Sequence, residues 1–210
     1  MKLYYAVGAC SLASHIALRE AGIPFDLVGV NLSTKKLIEG NRDYLTIVKK
    51  GYVPALGLND GNVITEGAVI LQYIADQKPE SGLAPAVGTI ERVRLQEWLH
   101  FIATELQKTS GVLLFPSANE EFKTAWRPRV VARFELLADA LEGKEYLLGN
   151  RFTVADAYAY YLLRNPARYQ GVSAAKAAVL LRYVERIEER PSVRAALEAE
   201  GVGKVSVKAA

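Results

Sequence analysis

The chain has one cysteine, Cys10, and so can form no internal disulfide. Two histidines, His15 and His100, beside one thiol are too few for a Cys/His zinc cluster, and no metal is expected. A single thiol fits a reducing cytoplasm. No Lys/Arg run exceeds two residues, which excludes the concentrated basic stripe of a nucleic-acid binder. No apolar stretch approaches the roughly 18 residues of a membrane span. The opening Met1-Lys2-Leu3-Tyr4-Tyr5 reads as a strand, not as a signal core. Internal repeats and low-complexity segments are absent. What remains is a 210-residue chain, 50% hydrophobic and 23% charged, with a formal net charge of +3. That is an ordinary globular balance, long enough to bury a core without staples.

Along the chain, residues 2–7 are rich in strand formers and stop at Gly8. Residues 11–21 take helical spacing, and Gly22 and Pro24 stop them. Residues 25–31 return to strand. A polar, basic stretch with Lys35, Lys36, Arg42, Lys49 and Lys50 has room for a short irregular helix. Val53-Pro54-Ala55-Leu56 is strand-like, Asn59-Asp60-Gly61-Asn62 is a hairpin turn, and Val63-Ile64 returns. Residues 67–76 form a helical face. The order β-α-β-α-β-β-α, with a parallel first pair and an antiparallel hairpin, is that of a thioredoxin-like domain. We expect this domain over residues 1–78, a Pro/Gly-rich linker over 79–88, and an all-α domain over 89–210. Its helices are expected near 89–110, 119–142, 153–165, 175–189 and 192–199. Thr153-Val154-Ala155-Asp156 has capping-box spacing, and Phe152 suits a hydrophobic staple.

Cys10 is the sharpest chemical candidate. A lone cysteine is by default a small buried hydrophobe, but this one sits where a strand passes into a helix. Free N–H groups and the positive helix end favour a thiolate there. With no second cysteine, its disulfide partner must come from another molecule. Ser11 either caps the helix or donates to a bound sulfur. Cis bonds are only about 5–6% of X-Pro bonds. Within a thioredoxin order the Val53-Pro54 bond is nevertheless expected cis, turning the Val53 backbone toward an extended ligand. Thr65-Glu66-Gly67 opens a helix. It reads either as a cap with an acid in the first turn or as a site for a carboxylate and an ammonium. Lys35 by itself reads as a solvated charge. His15 reads as packed rather than catalytic.

Met1 to Tyr5, Gly8-Ala9-Cys10-Ser11-Leu12, His15 to Glu20, Lys35-Lys36, Gly51-Tyr52-Val53-Pro54-Ala55-Leu56, Thr65-Glu66-Gly67, Glu97-Trp98-Leu99 and Phe152 to Tyr158 together resemble the beta class of bacterial glutathione transferases. The resemblance runs to about residue 201 and is densest in the first 76 residues. It implies a cytoplasmic homodimer that conjugates glutathione to small electrophiles or exchanges thiols through a Cys10 mixed disulfide. Glutathione would be the co-substrate, with Cys10 and Ser11 in the catalytic roles. Lys35, Val53, Pro54, Glu66 and Gly67 would hold the tripeptide. His100, Thr104, Glu105, Gln107 and Lys108 would approach it, partly from the neighbouring subunit. The helical domain would complete the second-substrate pocket and the dimer contacts, with no nucleic-acid or membrane partner.

The chain also departs from the family pattern. Gln107-Lys108 stands where the family has a histidine before lysine, and glutamine cannot titrate near neutral pH. His100 replaces a common asparagine, Val48-Lys49 replaces Asn-Pro, and Asn165 replaces a common aromatic. Two other readings remain open. One is a non-catalytic interaction protein on the same fold. The other is a specialised catabolic glutathione-dependent dehalogenase.

Overall fold

The computed structural model describes residues 1–205. They fall into two compact units. Unit 1 is Met1–Ala84 with Pro191–Gly203, and unit 2 is Pro85–Arg190 with Lys204 and Val205.

Unit 1 is built on a five-stranded mixed sheet: β1 (Lys2–Tyr5), β2 (Asp26–Asn31), β3 (Lys36–Leu37), β4 (Ala55–Gly57) and β5 (Val63–Thr65), in the order β3-β2-β1-β4-β5. β1 and β2 are parallel, with Leu3 opposite Leu27. A parallel pair needs a crossover, and α1 (Ser11–Glu20) supplies it. α1 ends in a Schellman turn: Gly22, at φ +63°, donates to Arg19 and Ile23 donates to Leu18. β4 and β5 are antiparallel about the 59–62 turn, where Asp60 accepts the Asn62 N–H at 3.0 Å. α2 (Gly67–Gln77) follows.

The short irregular helix expected between β2 and β4 is a single 3₁₀ turn, Tyr44–Thr46. The two-residue β3, which was not expected, precedes it. Local turn chemistry prevents a longer helix. Asn31 Oδ1 accepts from Ser33 and Thr34, while Lys35, Gly40 and Asn41 all take positive φ. Leu3, Leu12, Ile16, Leu56, Ile70 and Ile74 are fully buried. Val48 is buried in the cluster of Tyr4, Val30, Leu37, Tyr44, Val53 and Ala55. An apolar side chain therefore fills the floor of the loop that leads to Val53.

α8 (Pro191–Glu200) belongs to unit 1 and packs on α1. Within unit 1, Glu200 and His15 form a pair with both side chains fully buried.

Unit 2 contains α3 (Ile90–Phe101), α5 (Glu120–Leu141), α6 (Val154–Leu163) and α7 (Ala174–Glu188). Between α3 and a short turn, α4 (Thr109–Gly111), the chain winds as a π-helix over Ile102–Lys108. Val130, Phe134, Leu137 and Leu141 carry the buried face of α5. Thr153 and Asp156 form the capping box of α6. Asp156 accepts from Thr153 N–H, Thr153 Oγ1, Leu147 N–H and Tyr183 O–H at 2.7–2.8 Å.

Candidate functional site

Cys10 is the N-cap residue of α1 and is half-buried. Its sulfur donates to the Val53 carbonyl at 3.0 Å, and the Val53-Pro54 bond is cis. Thus two residues 43 positions apart meet at one point, with the positive end of α1 behind the sulfur. Ionising the thiol releases that carbonyl.

Ser11 Oγ is fully buried and engages Ala6 in both directions. It accepts the Ala6 N–H at 3.2 Å and donates to the Ala6 carbonyl at 3.3 Å. The hydroxyl thereby ties off the loop between β1 and α1. It neither caps the helix nor points its proton at the sulfur. From the other side of the loop, the Gly8 N–H, at φ +66°, donates to Glu200 Oε2 at 3.0 Å. Glu200 Oε1 lies 2.9 Å from His15 Nδ1, and Arg19 Nε donates to His15 Nε2 at 2.8 Å. Because Nε2 accepts, the ring hydrogen resides on Nδ1 and points at Glu200. His15 is therefore a packed link that holds the cysteine loop.

Two more groups of unit 1 border Val53. Lys35, at φ +57°, donates to the Gly51 carbonyl at 2.9 Å, and its ammonium lies 5.6 Å from the Tyr52 ring centroid. Tyr44 O–H donates to the Tyr52 carbonyl at 2.9 Å, anchoring the same loop from beneath. Glu66 is the N-cap residue of α2 at φ +73°, an unfavoured conformation for a side chain with a Cβ. Its carboxylate accepts from Lys50 at 2.6 Å, and Lys50 also donates to Thr65 at 3.1 Å. Gly67 begins α2, where the first N–H groups have no carbonyl of the helix to bond. Cys10, Val53 and Pro54 are thus brought together, and Lys35, Glu66 and Gly67 lie on elements that flank them within unit 1.

In unit 2, His100 sits at the end of α3, and Thr104, Glu105, Gln107 and Lys108 all fall in the π-helical stretch. His100 Nδ1 lies 2.9 Å from the Gln96 carbonyl, and Thr104 donates to the His100 carbonyl. The Glu105 carboxylate is 2.7 Å from Arg133 Nε and 3.7 Å from Arg129. Gln107 Oε1 accepts from Tyr158 O–H at 2.6 Å. This fixes its amide so that the NH₂ is the end left to donate. Lys108 is exposed.

Sequence reasoning missed Lys50, Tyr52 and Glu200. For Lys50 and Tyr52 a signal existed, since both flank Gly51 immediately before Val53-Pro54. Glu200 gave none, standing 185 residues from its partner His15. Among the described residues no group of three or more His, Cys, Asp or Glu side chains could hold a metal ion. No helix among them is long and apolar enough to cross a membrane.

Comparisons with known proteins bear on the fold and the family. Residues 8–77 match the family model of the glutathione S-transferase N-terminal domain, and residues 101–191 match that of the C-terminal domain. A protein of Escherichia coli O157:H7 named glutathione S-transferase GstA is 43% identical over 206 residues, covering 96% of this chain and all of that protein. A bacterial beta class glutathione S-transferase of Sphingomonas chungbukensis superposes with a TM-score of 0.89 at 45% identity, covering 97% of this chain and all of the other. A sphingomonad glutathione S-transferase solved in complex with glutathione gives the same score, identity and coverage. The chain belongs to the glutathione S-transferase family. Within that family it falls in the bacterial beta class. It is a glutathione transferase, with glutathione as co-substrate.

Proposed function

We propose that Cys10 is the reactive thiol of this transferase and that glutathione binds extended along the Val53 backbone. The meeting of Cys10 Sγ with the Val53 carbonyl at 3.0 Å carries this reading. An extended peptide seated there brings its own sulfur to the N-terminus of α1. Lys35 would meet one terminal carboxylate of the tripeptide. Glu66 with the first N–H groups of α2 would take the γ-glutamyl end, Glu66 accepting from the ammonium. His100, Thr104, Glu105, Gln107 and Lys108 would act on the same ligand, partly from the second subunit of a homodimer. The setting is cytoplasmic, as the single free cysteine suits.

Two reactions follow from that arrangement. In conjugation, the bound glutathione thiolate attacks an electrophilic carbon. A C–S bond forms and the leaving group departs with its electron pair. In exchange, the Cys10 thiolate attacks one sulfur of glutathione disulfide. The S–S bond breaks, one glutathione leaves as thiolate, and the other stays bonded to Cys10. A second glutathione thiolate then restores Cys10 and forms a new disulfide.

Retention on immobilised glutathione, followed by turnover of an aryl halide and of a mixed-disulfide substrate, tests the proposal. Retention with turnover of either substrate supports it. Passage through the column without retention or turnover would mean that the fold serves as an interaction module.

A further inference from the structure

We propose that unit 2 carries a binding site for a small organic phosphate, built from side chains that the glutathione reading does not use. A cavity of about 410 Å³ lies between the end of α5, the loop that follows it and one face of α7. Lys144, Arg182 and Arg186 border it. Arg182 and Arg186 stand one helical turn apart on α7, so their guanidinium groups share a face. Among the described residues, no carboxylate lies within 4.0 Å of any of these three cationic heads. Arg186 instead donates to the Glu145 carbonyl at 2.9 Å, a neutral acceptor that fixes its plane at the cavity wall.

Two acids also border the cavity, Glu142 and Glu145, and they must be weighed against the cations. The local balance is three cations to two carboxylates. The cations are not needed to cap the last turn of α5, because the Asp139 and Leu141 carbonyls already accept from Glu142 and Lys144 N–H groups.

The shape supplies the rest of the specificity. Guanidinium forks match phosphate oxygens in bidentate fashion, and Asn150, which also lines the cavity, carries a neutral amide. Leu141, Val179 and Tyr183 give the cavity apolar wall. Its volume falls within the range of about 300–1,000 Å³ usual for small-molecule sites. It is too large for a bare phosphate ion and suits a phosphate carrying an organic group of nucleoside size.

Calorimetric titration of the full chain at low salt with adenosine monophosphate, inorganic phosphate and adenosine tests the proposal. It is repeated on Arg182→Gln and Arg186→Gln, both surface positions whose variants should fold. The expected result is one saturable adenosine monophosphate site per chain, at least tenfold tighter than inorganic phosphate, with no binding of adenosine. Each substitution should weaken it roughly tenfold, as loss of one charge-assisted hydrogen bond implies. Absence of saturable binding, equal binding of adenosine or inorganic phosphate, or binding indifferent to both substitutions would overturn it.

Discussion

The Gly8 N–H donates to the Glu200 carboxylate at 3.0 Å, so α8 holds the loop that presents Cys10. The same carboxylate takes the Nδ1 hydrogen of His15 at 2.9 Å, in complete burial. Two donors thus face two oxygens of one side chain.

Gly8 is exposed and His15 is fully buried, so Glu200→Ala strands one buried donor, the His15 Nδ1–H. We expect a loss of about 1–3 kcal/mol. At roughly 2–4 °C per kcal/mol for a chain of this size, the thermal midpoint should fall by at least about 2 °C. Glu200→Gln offers one carbonyl oxygen and sets its NH₂ against the second donor, so an intermediate loss is predicted. Calorimetric melting of the three proteins decides it. A midpoint unchanged in Glu200→Ala would show that the pair contributes nothing to stability.

The Lys50–Glu66 pair is exposed and contributes little to stability. If Glu66 accepts from the glutathione ammonium, Glu66→Gln should raise KM for glutathione about tenfold or more. Melting should change by less than about 0.5 kcal/mol. Steady-state kinetics beside a melting curve separates the two effects. A KM equal to that of the native chain would remove Glu66 from the site.

The capping box of α6 gives a graded pair of predictions. Thr153→Ala should cost about 1–2 kcal/mol, the usual cost of an N-cap. Asp156→Ala should cost at least about 3 kcal/mol, because it strands donors from Leu147, Thr153 and Tyr183 as well. Denaturant titration measures both, and equal losses would contradict the network.

Four buried phenols set the alkaline limit of the fold. Burial pushes Tyr169 up to about 12, raises Tyr44 and Tyr160 further still, and holds Tyr183 well above the ordinary phenol value. The unfolded chain ionises its tyrosines near about 10. The folded state therefore retains protons that the unfolded state gives up. The stability these phenols contribute is complete below about pH 10 and is lost as pH rises through their folded values. Tyrosinate absorbance followed with ellipticity should show a group of phenols ionising only as the fold is lost. Ionisation of all eleven tyrosines in the intact fold would contradict this.

Much of the fold was legible because local signals agree with it. Gly22 ends α1, the Asn-Asp-Gly-Asn turn joins β4 and β5, and the spacing of Val130, Phe134, Leu137 and Leu141 gives α5 its buried face. The short β3 was hidden because the positive-φ residues Lys35 and Asn41 carry no glycine signal. The π-helical stretch was hidden because Leu95, Leu99, Ile102 and Leu106 fit an α-helical period, while the winding depends on tertiary packing. Cys10, Val53 and Glu66 could be named from strand ends and helix starts. The tie from Glu200 to the Cys10 loop could not, since nothing local marks a contact across 192 residues.

The central claim is that Cys10 exchanges with glutathione. The most direct test is the intact mass of the purified protein after incubation with glutathione disulfide, before and after a reductant, beside Cys10→Ala. We predict one glutathione adduct per chain that the reductant removes and that the variant never forms. A native chain that carries no adduct while retaining glutathione affinity would contradict the claim, leaving Cys10 as a packed thiol beside the Val53 carbonyl.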